Sequence, residues 1–168
     1  MPGSSQHDFF RNILNRPCNF LCCSPLLLNR SGDNESAAAL LREVVQDDPE
    51  LHEAAYSLGL LLAEMGRLDE AAKMLGSAAD GMPGYARPRY NQALALLKLK
   101  RYEEGEKALL QVVRQEPENP EYFTTLANLY LGFGMTERAR NLAEEVLQIV
   151  PDHPQAQELL QLLQSGNN

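Results

Sequence analysis

The sequence predicts an all-α helical solenoid, and three observations carry that prediction. Proline recurs at positions 49, 83, 117 and 151, a constant spacing of 34 residues. Small and apolar residues travel in phase with it: Ala37, Ala71, Gly105 and Ala139, then Leu41, Leu75, Leu109 and Ala143, then Val44, Ala78, Val112 and Val146. Between the prolines, Gly66, Lys100 and Gly134 fall at equivalent points where the chain must turn. A period of this length is one helix, a tight turn, a second helix and a proline-marked link. Repeats of that kind stack on their neighbours and do not close around a central active site.

Taken in order, residues 35–47 place Ala38, Leu41, Val44 and Val45 on one stripe with acidic residues opposite, which predicts an amphipathic helix. Pro49 follows its end, where a proline cannot continue the helix. Further helices are expected over 51–65, 68–81, 86–99, 102–115, 120–133, 136–149 and 154–164. Pro88 and Pro120 fall in first turns, which tolerate proline because those amides have no partner within the helix. Glycine at 66 and 134 permits a left-handed residue at low steric cost. Lys100 lacks that freedom, so its turn is expected to be strained or differently shaped.

Within each first helix a small residue recurs, Gly59, Ala93 and Ala127, allowing the paired helices to approach closely. Leu62, Leu96 and Tyr130 fill the next turn of that face. Segment 154–164 is read as a cap: Leu159, Leu160, Leu162 and Leu163 would cover the last repeat while Gln155, Glu158 and Gln161 face water.

Composition is that of a folded chain, with 44% apolar and 23% charged residues and a formal net charge of −8. The charge is uneven. Residues 1–32 carry +2, whereas residues 33–168 hold 12 basic and 22 acidic groups, a net of −10. Such a body is expected to repel nucleic acid and anionic lipid unless a local patch overrides the field. No apolar run approaches the ~20 residues that cross a bilayer.

Residues 1–33 are set apart. They hold all three cysteines, Cys18, Cys22 and Cys23, so the repeats do not depend on disulfides. The three lack the second Cys/His pair of a zinc site, and His7, His52 and His153 are scattered, so no metal is expected. FLCCSPLLL (20–28) has the apolar character of a short leader but no small-x-small cleavage site. Acylation of Cys22 and Cys23 would supply a membrane anchor. A terminal tail is the plainer reading. Projected backward, the 34-residue period puts Pro25 where Gly59 sits, and a proline inside a helix costs ~3 kcal/mol. The first repeat is therefore expected to lack its first helix, leaving 35–49 a half repeat that the apolar side of 8–15 (Phe9, Phe10, Ile13, Leu14) would shield.

Catalytic constellations are absent from the sequence. There is no nucleophile elbow, phosphate loop, metalloprotease helix or dinucleotide glycine fingerprint. Gly132-Phe133-Gly134 is a helix end, and Glu103-Glu104 and Glu144-Glu145 are expected on solvated faces. No enzyme and no cofactor is expected.

The phased small and apolar residues of both helices, with the four prolines, resemble the tetratricopeptide repeat. The resemblance covers 52–85, 86–119 and 120–153 as full repeats and 35–49 as a lone second helix, so that 34–168 would form one domain of about three and a half repeats plus a capping helix. Departures are visible: the early aromatic of the first helix is Ala55 and Arg89 in two repeats and Phe123 only in the last, Gln92 replaces an apolar residue, and Gly105 replaces an alanine.

The resemblance implies a right-handed α-α superhelix that binds a peptide or helix of another protein in a concave groove lined by first helices. Carried onto this sequence, it takes Glu53, Tyr56, Ser57, Leu60 and Glu64; then Arg87, Tyr90, Asn91, Leu94 and Lys98; then Glu121, Thr124, Thr125, Asn128 and Leu131. The residues expected to matter most are Tyr56, Leu60, Arg87, Tyr90, Asn91, Leu94, Lys98, Thr125 and Asn128. Tyr56, Leu60, Tyr90 and Leu94 would form an apolar floor or else pack between adjacent repeats, and the two asparagines offer donors and acceptors to a peptide backbone. Arg87 and Lys98 would meet an acidic peptide, or else pair with Glu103, Glu104 or Glu121 of the chain itself. The basic clamp of chaperone-binding members is not reproduced, because Tyr56, Leu60, Glu121 and Thr125 stand where it needs lysine, asparagine, lysine and arginine. The expected function is that of an adaptor or assembly factor, with self-association through the incomplete N-terminal end as the alternative. The residues fix neither the partner nor the compartment.

Overall fold

The computed structural model describes residues 34–165, which form eight helices and, among the described residues, no strand. The tail, leader and acylation readings of residues 1–33 and the helix over 8–15 lie outside these residues. The observed bounds follow the predicted ones closely. Helices over 68–81, 102–115 and 136–149 begin and end where the pattern placed them, and the others differ by one residue at an end or both. The chain divides into two compact units, up to Met82 and from Pro83.

In the first unit, α1 (Asn34–Asp47) packs on α2 (His52–Glu64), and α2 pairs with α3 (Leu68–Gly81). Gly59 lets that pair close: a Cβ there would lie 2.7 Å from Leu75 Cγ. Ala38, Leu41, Leu58, Leu62 and Leu75 are buried in this unit, the apolar stripe of each helix having found its neighbour. Val44 and Val45, read as part of the α1 stripe, are only half-buried. At the edge, Arg67 reaches both Glu70 at 2.6 Å and Glu35 at 3.5 Å, and Arg42 joins Glu70 at 3.2 Å.

The second unit holds α4 (Ala86–Lys98), α5 (Tyr102–Gln115), α6 (Pro120–Gly132), α7 (Thr136–Ile149) and α8 (Pro154–Ser165). One core runs through them, from Tyr90 and Ala93 through Leu109, Val112 and Phe123 to Val146, Ala156 and Leu159. Ala93 and Ala127 occupy the close approaches the period assigned them, both buried.

The three helix-pair turns have one geometry. At each, the amide three residues beyond the helix reaches back five residues: Arg67 to the Leu62 carbonyl at 2.8 Å, Arg101 to Leu96 at 2.9 Å, Met135 to Tyr130 at 2.8 Å. The turn residue itself is left-handed, with φ of 77° at Gly66, 61° at Lys100 and 67° at Gly134. Lys100 therefore adopts the same shape as the glycines and bears the strain, because two backbone hydrogen bonds hold the turn together.

The cap differs in detail from its reading. Leu159 is buried with Ala156, and Leu160 and Leu163 are partly covered, but Leu162 is 61% exposed. Gln155, expected in water, is half-buried. The covered stripe is i, i+3, i+4, i+7 from Ala156, and a 100° step per residue carries Leu162 past its edge.

Candidate functional site

In the second unit, the site is built on neighbouring first helices. The α4 stripe Arg87, Tyr90, Asn91, Leu94, Lys98 and the α6 stripe Glu121, Thr125, Asn128 repeat at one phase because both helices start after the same kind of link. Arg87 meets Glu121 at 2.8 Å. Thr125 donates its hydroxyl hydrogen to the Glu121 carbonyl at 2.8 Å, so the contact at 3.0 Å between Tyr90 and Thr125 has the tyrosine as donor.

Tyr90 is not an open floor. It is 5% exposed, and its ring lies 4.7 Å from that of Tyr122. The Arg87 guanidinium covers the outer side of both, 5.7 Å from one centroid and 5.5 Å from the other. Burial is the leading cause that pushes both phenols above their ordinary value, so they stay neutral and act as hydrogen-bonding rings. Tyr122 was missed in the sequence because it lies off the stripe of Glu121, Thr124, Thr125, Asn128 and Leu131; its ring is buried and lies under Arg87.

Around this polar seam, Asn91, Leu94 and Thr125 are half-buried and Lys98 and Asn128 are exposed. Arg87 takes the pairing with Glu121 that the sequence offered beside an acidic ligand. Arg101 pairs with Glu104 at 2.6 Å, and Arg89 donates to Gln92 at 3.0 Å, so two departures from the repeat pattern compensate each other. Tyr56 and Leu60 belong to the first unit, both half-buried on α2. On the same helix Ser57, two periods before Thr125, likewise donates to a carbonyl one turn back, that of Glu53 at 2.8 Å.

A second surface was not singled out in the sequence. Tyr102 and Phe133 meet edge-on at 4.8 Å beside Met135, all exposed, where α5 begins and the α6–α7 turn ends. No signal marks it, since each residue sits singly at a helix terminus. Among the described residues no group of His, Cys, Asp and Glu could hold a metal ion, and no helix is long and apolar enough to cross a membrane.

A family model described as tetratricopeptide repeat matches residues 28–80, 62–129 and 111–163. The inactive TPR repeat-containing thioredoxin TTL3 of Arabidopsis thaliana is 34% identical over 96 residues, 57% of this chain; the chain spans 14% of that relative's length. Among solved structures, a crystal structure of MamA protein aligns over 95% of this chain and 81% of its own with a TM-score of 0.67 and 18% identity. MamA 41-end from Desulfovibrio magneticus RS-1 aligns over 94% and 93% with a TM-score of 0.62 and 22% identity. YrrB, described as a TPR protein with an unusual peptide-binding site, aligns over 84% and 73% with a TM-score of 0.63 and 19% identity. At these identities the likeness shows the fold, an all-α repeat solenoid.

Proposed function

The chain belongs to the tetratricopeptide repeat family, and from that premise we propose that it is a non-catalytic interaction module binding a peptide or helix of another protein along its first helices. The observation that supports this most directly is the α4–α6 face. Its seam is fixed by Arg87–Glu121 and Tyr90–Thr125, while Lys98 and Asn128 stand beside it in solvent. A preorganised face with exposed donors and acceptors beside half-buried Leu94 suits an extended peptide, whose backbone needs partners and whose side chains need apolar contact. The peptide-binding site in YrrB's description supports the mode of action. In a cell the module would act as adaptor or assembly factor. The −10 charge of residues 33–168 makes nucleic acid a poor partner.

The test is capture from native lysate by the full chain, beside an Asn91→Ala/Lys98→Ala/Asn128→Ala variant read for folding by circular dichroism. Tyr90 is left intact because it belongs to the core. A protein retained by the wild type and lost by the folded variant supports the reading. Equal retention by both overturns it. Tyr56→Ala and Leu60→Ala, in the first unit, are scored separately.

Self-association is the second reading, favoured by Leu40, 38% exposed on α1. Sedimentation of wild type and Leu40→Glu across a dilution series decides it; a monomer at every concentration removes it.

A further inference from the structure

His153 stands before Pro154 and α8 as Asn119 stands before Pro120 and α6, one 34-residue period earlier. Both side chains cap their helix. Asn119 accepts from the Glu121 amide at 3.1 Å, and His153 Nδ1 accepts from the Ala156 amide at 3.3 Å. An imidazole nitrogen accepts only when it carries no proton, so this cap requires the neutral ring with hydrogen on Nε2. The ring is 2% exposed, Nε2 is buried without a hydrogen-bond partner among the described residues, and Phe123 lies 5.0 Å away, tilted by 55°.

A proton on Nδ1 changes three things together. The acceptor becomes a donor pointed at the Ala156 amide. A positive charge appears at the helix N-terminus, the positive end of its dipole. That charge is also buried against Phe123 and the core. We propose that His153 is a pH-sensitive latch: neutral, it caps α8 and holds it on α6 and α7; protonated, it releases the helix and uncovers the apolar surface beneath Ala156 and Leu159.

The titratable groups of the packed elements do not counter this. On α6, Glu121 is paired with Arg87, and on α7, Glu145 is paired with Arg114. Glu144, Asp152 and Glu158 are exposed. Burial is the leading cause that holds His153 below its ordinary 6.5. The undocked helix therefore binds the proton more tightly than the docked one. Docking is at full strength above pH 6.5 and weakens as pH falls below it, by about tenfold per pH unit until the docked ring itself protonates.

Amide hydrogen exchange of the full chain at about pH 7.5 and 5.5, corrected for intrinsic rates, tests the latch. Wild-type α8 is expected to lose protection at the lower pH, by up to about tenfold, while α5 holds. His153→Asn keeps an acceptor that does not titrate, and its α8 should show no such loss. An equal response in both proteins, or none in the wild type, overturns the proposal. If the variant does not fold, NMR of the wild type decides. A His153 ring titrating below 6.5 in step with the Ala156 amide supports the latch, and a ring titrating at its ordinary value with that amide unchanged overturns it.

Discussion

Arg87 and Glu121 are one full repeat apart in sequence, 34 residues, and their side chains meet at 2.8 Å. Identical phase on successive first helices makes that meeting a consequence of the period. The pair is a little under half exposed, and solvent-accessible pairs are worth ~0.2–1 kcal/mol. Arg87 also covers two tyrosine rings, which adds ~0.5–1 kcal/mol. Glu121→Gln should therefore cost less than Arg87→Ala in urea denaturation, with a double-mutant coupling of a few tenths of a kcal/mol. Equal costs would mean the ring contacts contribute nothing.

Gly59 and Lys100 predict changes of opposite sign. A Cβ at Gly59 meets Leu75 Cγ at 2.7 Å and its backbone nitrogen at 3.1 Å, so Gly59→Ala should destabilise by ~1–2 kcal/mol despite alanine's better helix propensity. Lys100→Gly relieves a left-handed residue and should stabilise by ~0.5–1 kcal/mol, a rise of a few degrees in Tm. Thermal melts of both variants check this.

The Tyr130 hydroxyl donates to Glu106 at 2.9 Å from a ring that is itself buried, and Arg138 reaches the same carboxylate oxygen at 2.8 Å. Burial, then the bond to Glu106, pushes the phenol far above its ordinary value, so it remains a donor at any working pH. Tyr130→Phe removes a bond to a charged acceptor and should cost ~1.5–3 kcal/mol, whereas Arg138→Ala, at the exposed end, should cost ~1 kcal/mol or less. Chemical denaturation distinguishes them; a larger loss for Arg138→Ala would reverse the ranking.

Acid stability separates two windows. A bond from Arg67 is the main cause holding the Glu70 carboxyl below its ordinary 4.5, and a bond from Arg101 does the same for Glu104. A depressed carboxylate pKa gives stability that is present above pH 4.5 and lost as pH falls through the folded value. Tm should therefore fall below pH 4.5, and Glu70→Gln/Glu104→Gln should flatten that fall. Because the Glu104 side chain is exposed and that of Glu70 is about half exposed, the flattening should shrink in high salt. The His153 window lies higher, below pH 6.5, and this variant should leave it intact.

The helices were legible because their signals are local. Proline spacing, small residues at one phase and the turns at 66, 100 and 134 each act within a few residues of where they stand. What was not legible depended on side chains meeting across helices. Tyr90 and Asn128 read alike as groove residues, yet one is in the core and the other in water. His153 read as a stray histidine, though its phase with Asn119 was already a signal.

By itself, the sequence determined the repeat length, the eight helices of the described residues and the two-helix unit, because a 3.6-residue stripe and a left-handed turn need no distant partner. Only the tertiary structure decided which polar groups are exposed. A stripe spaced i, i+3, i+4 spans more than 100° of a helix, and the neighbouring helix chooses which part to cover. That choice buried Tyr90 under Arg87 and left Leu162 in solvent. It also turned His153 inward to cap α8 against Phe123.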